Sequence, residues 1–487
     1  MRERDVVRRL VAHAEGRPLP RGTTRQLHVA ADEDLLIVAF VRMGGESRPW
    51  GIAFGRPGAE PELLTVPEGR NRDLVADMCS RFAPALLRHL RTPGFVDVPP
   101  TEAEELRPLR QVWLPNGSHA DMLHHLAYAY TFTQWRPEGA TTLNPLGRAA
   151  GWLFREAQRP GQQHVVTATE ALRTSYTFPA QSTRLEHLGF LLTWLDPDVA
   201  PGERFAAAHE AEALAVSTAL DPVLERSRIE KPLDDWHDAR NEGDARRERA
   251  RASEIARVLE EELRRRYRLT AQAISHLRAD GRRTNRGVGR LIDAALEEQW
   301  HEHTQPELRH AAGADPPPFT PSPETDRDAA AAGARYMAHL ASASLAEAVL
   351  LHDDEELQDE AIARGDGFRG TIADVEDRSR GRWMRTAWTV RDENPGPLRL
   401  REGSWVSIIG SPERRGTILA VRTGSDGRRT FEVEVSGHVT WPVGSEVGFV
   451  ESSNHQLSQR KSQLIWSDDE PGSWLTHARP DDDEGRR

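Results

Sequence analysis

Lysine is nearly missing from this 487-residue chain. Lys and Arg total 64, and Lys231 and Lys461 are the only lysines, so 62 are arginine. A Walker A loop needs a lysine that reaches the β- and γ-phosphates from a Gly-rich turn. Lys231 follows Arg228-Ile229-Glu230 and Lys461 follows Ser458-Gln459-Arg460, so neither stands in such a loop. The chain is therefore not expected to be a P-loop NTPase on its own. Protein-kinase chemistry asks for a lysine on an early strand, and neither position offers one. A nuclease core of the acid-x-Lys type also fails, because Ile229 and Gln459 stand two residues before the lysines.

Cysteine is almost as scarce. A single Cys79 excludes an intramolecular disulfide and a Cys-rich zinc site. It lies in an amphipathic pattern, Leu74 to Phe82, where a packed thiol is the plain expectation. Long apolar runs are missing too. With no stretch near 18 residues and a charged start, neither a membrane span nor a signal peptide is expected, and cytoplasmic residence follows as the default. The net charge of −12 excludes a uniformly basic coat for nucleic acid but not local basic faces.

What is present predicts a multidomain, mainly α protein. Residues 1–100 read as an α+β unit. A first helix over 1–15 precedes four short apolar runs, Gln26–Val29, Leu35–Val41, Trp50–Phe54 and Leu63–Val66, punctuated as in a β-meander. A helix over Arg72–Arg91 follows. Residues 101–234 read as an α-helical domain with Trp113, Trp135, Trp152 and Trp194 as large core residues. Residues 235–310 read as an Arg-rich helical hairpin. Its first helix carries an apolar stripe at Ile255, Leu259, Leu263, Tyr267, Ala271, Ile274 and Leu277. A Pro-rich linker over 311–326, a helical stalk over 327–365, a β-barrel over 366–452 and a partly disordered tail over 453–487 complete the division.

Two features carry candidate function. Residues 240–290 hold 15 arginines against 8 acids. Asp280-Gly281 marks a turn, after which Arg282, Arg283, Asn285, Arg286 and Arg290 could meet phosphates or base edges as in a helix-turn-helix. The plain alternative is a solvated face of Glu–Arg pairs, as Glu260-Glu261-Glu262 before Arg264-Arg265-Arg266 illustrates. The second feature is the run from Glu402 to Val421. Gly403 precedes one strand, a Gly410-Ser411-Pro412 loop follows, and Gly416-Thr417-Ile418 opens the next.

That run resembles a KOW-type, SH3-like barrel. The resemblance implies a small module that binds nucleic acid or protein tails. Arg414 and Arg415 match the basic loop position, and Trp405 and Trp441 offer a stacking face. A barrel after a helical stalk is also similar in architecture to the accessory module of superfamily 1 helicases of the up-frameshift type. The motor is absent, so a partner protein would supply an ATPase or nuclease. No cofactor is implied. His301-Glu302-His303 and His124-His125 have poor spacing for a metal on a helix. His352-Asp353 with His339 upstream is similar to the pair in metal-dependent phosphohydrolases, without the remaining ligands. The leading expectation is a non-enzymatic, nucleic-acid-associated adaptor of a multi-protein system, in bacterial defence or DNA processing. The alternatives are a protein–protein scaffold and a metal-dependent phosphohydrolase.

Overall fold

A computed structural model describes residues 3–90, 109–133, 142–182, 187–303, 345–379, 384–392, 396–425, 427–437 and 441–452, with single positions between 336 and 343. The Pro-rich linker, the tail, Trp135 and His339 lie outside the described residues. Helix α1 (Glu3–Glu15) leads through β1 (Leu19–Pro20) to an antiparallel meander of β2 (Leu35–Val41), β3 (Gly51–Gly55) and β4 (Glu62–Thr65). Helix α2 (Arg72–Leu90) returns the chain so that β5 (Gln111–Leu114) lies parallel to β2. Then α3 (Gly117–Tyr130) and α4 (Leu143–Ala157) lead to β6 (Val165–Thr167), parallel to β5. The sheet order is β4-β3-β2-β5-β6. One sheet thus takes strands from both sides of residue 100, where the sequence divides an α+β unit from a helical domain.

Every residue of β2 is buried, which is why Leu35–Val41 reads as an unbroken apolar run rather than an alternation. Leu36, Val38 and Phe40 face α2, α3 and α4. Leu35, Ile37, Ala39 and Val41 face the opposite layer. That layer is built from α5 (Ala168–Ser175), β7 (Tyr176–Thr177), α6 (Leu188–Leu195), α7 (Arg204–Ala211), α8 (Pro222–Leu224), α9 (Glu230–Glu242) and α10 (Ala245–Ala279). A π-turn over Glu225–Ile229 joins α8 to α9. Asp244 caps α10 by accepting from Arg246 N and Arg247 N. The expected stripe of α10 lies against the sheet, with Ile255, Leu259, Leu263, Tyr267, Ile274 and Leu277 buried. Cys79 packs in the first layer, where burial pushes its thiol up to about 12.

One expected strand is absent. Gln26–Val29 has no ladder partner. Its backbone is held by side chains instead. Gln163 Oε1 accepts from His28 N at 3.0 Å, and Gln111 Nε2 donates to His28 O at 3.0 Å.

Helix α11 (Gly287–His303) packs on a helical segment over 345–351 through Val288, Leu291, Ile292, Val349 and Leu350. Helix α12 (Glu355–Arg364) then opens the C-terminal unit. Strands β8 (Gly367–Asp377), β9 (Arg385–Asp392), β10 (Trp405–Ile408), β11 (Ser411–Thr423), β12 (Arg429–Ser436) and β13 (Glu446–Glu451) close an antiparallel barrel. Phe368, Trp388, Val406, Ile418, Phe431 and Phe449 fill it. Gly403 turns with φ +83°, and a Cβ on Gly416 would lie 2.8 Å from Glu434 O, so both glycines of the motif are required by backbone geometry. The barrel is compatible with the SH3-like resemblance. Among the described residues no helix is long and apolar enough to cross a membrane.

A buried polar junction ties the three parts together. Asp354 Oδ2 accepts from Thr24 N at 2.9 Å and Thr24 Oγ1 at 2.8 Å. Its Oδ1 caps α12 by accepting from Glu356 N and Leu357 N. Asn285 Nδ2 donates to Thr24 Oγ1 at 3.0 Å and to Leu350 O at 2.7 Å. Asp354 and Asn285 are fully buried and Thr24 nearly so. Replacing Asp354 by Ala strands the Thr24 donors and uncaps α12. We expect a loss of about 2–4 kcal/mol, seen as a lower urea midpoint. A loss under about 0.5 kcal/mol would show that the junction is not a keystone.

Three buried histidines add a pH dependence. Desolvation, above other causes, lowers His89 and His164 to about 4 and His119 to about 3. Unfolded, each takes a proton near pH 6.5. Their stabilisation is therefore complete above pH 6.5 and is lost as pH falls toward 4. About 1–2 kcal/mol per histidine should disappear between pH 7 and pH 5. Urea melts across that range check this, and a flat profile would contradict it.

Candidate nucleic-acid interface

In open α/β sheets, ligands bind beyond the carboxyl ends of the parallel strands. Here the chain itself covers that edge. A strap over 214–220 lies across the ends of β2 and β5. Arg42 N donates to Thr218 O at 2.7 Å, and Leu220 N donates to Arg42 O at 3.0 Å. His119 donates from Nε2 to Val216 O at 3.1 Å, while its Nδ1 accepts from Phe40 N at 3.0 Å. Ser118 Oγ accepts from Thr218 N at 3.0 Å. The partners of His119 require a neutral ring protonated on Nε2, which agrees with its depressed pKa. The polar groups at this edge thus hold the strap.

The Arg-rich helix holds it from above. Arg266 is fully buried. It donates to Ser217 O at 2.9 Å, Glu262 O at 3.0 Å and Ala219 O at 3.4 Å, and pairs with Glu262 at 2.7 Å. Desolvation brings it down to about 10, still protonated at neutral pH. Arg265 reaches Ala215 O and pairs with Glu262 at 2.6 Å. These two members of the Arg264–Arg266 cluster are fasteners.

The turn between α10 and α11 divides the expected contact residues into two sets. Arg282 points inward. Its guanidinium donates to Arg21 O at 2.5 Å, Ser175 O at 3.0 Å and Asp280 Oδ2 at 2.7 Å, and it stands 5.4 Å over the Tyr176 ring. Asn285 belongs to the junction already described. Neither is open to a base edge. Arg283, Arg286 and Arg290 face solvent, at 56%, 87% and 53% side-chain exposure. Asp353 pairs with Arg283 and, at 3.8 Å, with Arg286.

Arg290 meets Glu413 at 4.0 Å. Glu413, Arg414 and Arg415 lie at the start of strand β11 rather than in a loop as the resemblance implied, because the turn from β10 closes at once with Ile408 opposite Ser411. Two basic clusters more than 120 residues apart in sequence are thereby brought side by side. Between them, His352 Nε2 lies 3.4 Å from Ser407 Oγ. Burial, then the nearby Arg290 charge, lowers that imidazole to about 4. On β10 and β11, Ser407 pairs with Arg415 and Trp405 with Thr417. Alternate residues share a face, so Trp405, more than half exposed, stands one rung from Arg415 on the outside of the barrel. Among the described residues no ion pair involves Arg414 or Arg415. Trp441 instead stacks on the core residue Trp388 at 5.6 Å, half turned from solvent.

His352 and Asp353 are thus engaged by the barrel and by Arg283. Among the described residues no group of three His, Cys, Asp or Glu side chains is placed to hold a metal ion. The role of His352 as the spacer between turn and barrel has no signature in the sequence, because its partner Ser407 is 55 residues away.

Comparison with protein families, with curated proteins and with solved structures gave no match.

The two sets of arginines should separate in stability. Arg286→Gln removes one long ion pair from an exposed guanidinium and should cost under about 0.5 kcal/mol. Arg282→Gln removes a largely buried ion pair with Asp280 and the guanidinium bonds to Arg21 O, Gly22 O and Ser175 O, and should cost about 2–3 kcal/mol. Urea midpoints of the two variants check this, and equal losses would refute the division.

Proposed function

We propose that the protein is a nucleic-acid-associated adaptor without a catalytic centre of its own, gripping phosphates through the face between the α10–α11 turn and the barrel. The observation that carries this reading is the approach of Arg290 to Glu413, which sets Arg283, Arg286 and Arg290 beside Arg414 and Arg415. Guanidinium forks suit phosphate oxygens, and Trp405 adds a flat apolar surface on which a base can stack. The Arg286–Asp353 contact is long, at 3.8 Å, and its guanidinium is exposed, so Arg286 can turn to a phosphate at little cost. The partner protein, a separate ATPase or nuclease, belongs to the same proposal.

Helix α1 favours a second reading, a protein–protein scaffold. Its polar side is tied down, Arg8 to Glu356 and Asp5 to Arg21. Its apolar residues point outward, with Val7 at 58% and Leu10 at 64% exposure. This reading predicts no oligonucleotide binding.

Fluorescence anisotropy with labelled single- and double-stranded oligonucleotides separates the two. Five phosphate contacts give a salt slope of about −4.5 on duplex DNA, so binding should weaken several-hundred-fold from about 50 to 200 mM salt. The variant Arg286→Gln/Arg290→Gln/Arg414→Gln/Arg415→Gln should lose most of that slope. Folded protein that binds at neither salt concentration overturns the adaptor reading.

A further inference from the structure

The outward flank of α10 carries a second cationic surface, separate from the face at the barrel. A groove of about 600 Å³ is lined by Arg257, Glu261, Arg264, Arg265, Arg268 and Gln272. A cleft of about 330 Å³ between α9 and α10 adjoins it, with Lys231, Asp235, Arg251 and Glu254 in its walls. Arg257 lines both. Positions 257, 261, 264, 268 and 272 follow steps of three and four, so they share one side of the helix. That side lies away from the buried stripe of Ile255, Leu259, Leu263 and Ile274. From Arg251 to Gln272 the track runs about 32 Å at 1.5 Å per residue.

We infer that this track binds the phosphate backbone of a nucleic-acid strand, independently of base sequence. The inference rests on the adaptor reading for its ligand class but uses none of the residues of that interface. Three observations carry it. First, even with Arg265 set aside as a fastener of the strap, cations outnumber carboxylates along both walls, in a protein whose net charge of −12 would otherwise repel nucleic acid. Second, although Arg251 in the cleft is held closely by Asp235 at 3.0 Å and Glu254 at 2.6 Å, the pairs of the groove lie at or near the surface: Arg228–Glu261 at 3.4 Å, Arg264–Glu260 at 3.2 Å and Arg268–Glu60 at 3.7 Å. Pairs of this kind contribute about 0–1 kcal/mol and yield readily to a phosphate. Third, among the described residues no ion pair involves Arg257, where groove and cleft meet, or Lys231 in the cleft wall. The charges are spread along the helix rather than gathered around a point. That spacing suits an extended polyanion better than a single small anion. Gln272 is the one neutral amide in the groove wall, so base edges find few partners there.

The test uses the full chain and a labelled single-stranded oligothymidine, titrated by anisotropy at several salt concentrations. Each phosphate contact on a single strand contributes about 0.7 to the salt slope. The variant Arg257→Gln/Arg264→Gln/Arg268→Gln should therefore lower the slope by about 2. Across a fourfold rise in salt, its affinity should fall about 16-fold less than that of the parent chain. The variant Lys231→Gln/Arg257→Gln breaks no ion pair among the described residues and should lower the slope by more than about 1. An unchanged slope in both groove variants, with loss in the barrel-face variant, overturns the inference and leaves the adaptor interface standing. Loss in the groove variants with none in the barrel-face variant supports the track and overturns that interface. Absence of binding by the parent chain overturns both.

Discussion

The arrangement of the molecule depends on a few buried polar atoms that have no water to turn to. Thr24, Asn285 and Asp354 come from three distant stretches of chain and satisfy one another within an otherwise closed contact. A buried donor without an acceptor costs far more than a hydrogen bond gains, so these segments are held in one relative position. The fit is tight as well as polar. A Cβ on Gly22 would lie 2.6 Å from Asp354 Oδ2, and one on Gly287 would lie 2.2 Å from Val349 O. The position of the barrel relative to α11, and with it the approach of Arg290 to Glu413, follows from that contact.

Arginine serves two opposite ends in this chain. Inside, the planar fork spans several backbone carbonyls at once, as Arg266 does over the strap and Arg282 does at the turn. Lysine, a point charge on a flexible stem, could not bridge those carbonyls in the same way. Outside, the same side chain remains charged and only loosely paired, at Arg286 and Arg268. A count of arginines therefore does not measure how much positive charge is available. Burial separates the two populations, and only the second contributes to an attractive surface.

Much of the architecture was legible in the sequence because its elements are long and strongly patterned. The α10 stripe repeats at three- and four-residue steps from Ile255 to Leu277 of a 35-residue helix. In the barrel β12 alternates between inward and outward residues, and turns carry glycine at Gly403 and Gly427. The mixed sheet was less legible. Strands β5 and β6 have four and three residues, too few for a period to emerge between helices. The run Gln26–Val29 is apolar like a strand, yet Gln111 and Gln163 side chains satisfy its backbone. For the candidate interface, pairs within one helical turn, such as Arg264 with Glu260, could be anticipated from spacing. The partnership of Arg283 with Asp353 could not, since 70 residues intervene. Asp280, two residues before Arg282, is the one local sign that separates the inward Arg282 from the outward Arg286.

The contact between Thr24 and Asp354 spans 330 residues. A ribosome adding about 5–20 residues per second needs roughly 15–65 s to deliver the second partner after the first has emerged. Through that interval the segment around Thr24 waits with its donors exposed to water, although the sheet beside it can already assemble. The nascent chain thus has a long window in which the Thr24 corner of its amino-terminal arm is open to water, chaperones and proteases. That window closes late, once α12 has left the exit tunnel, so a truncated product lacking α12 would keep the β1–β7 pairing of the arm but leave Thr24 without its acceptor.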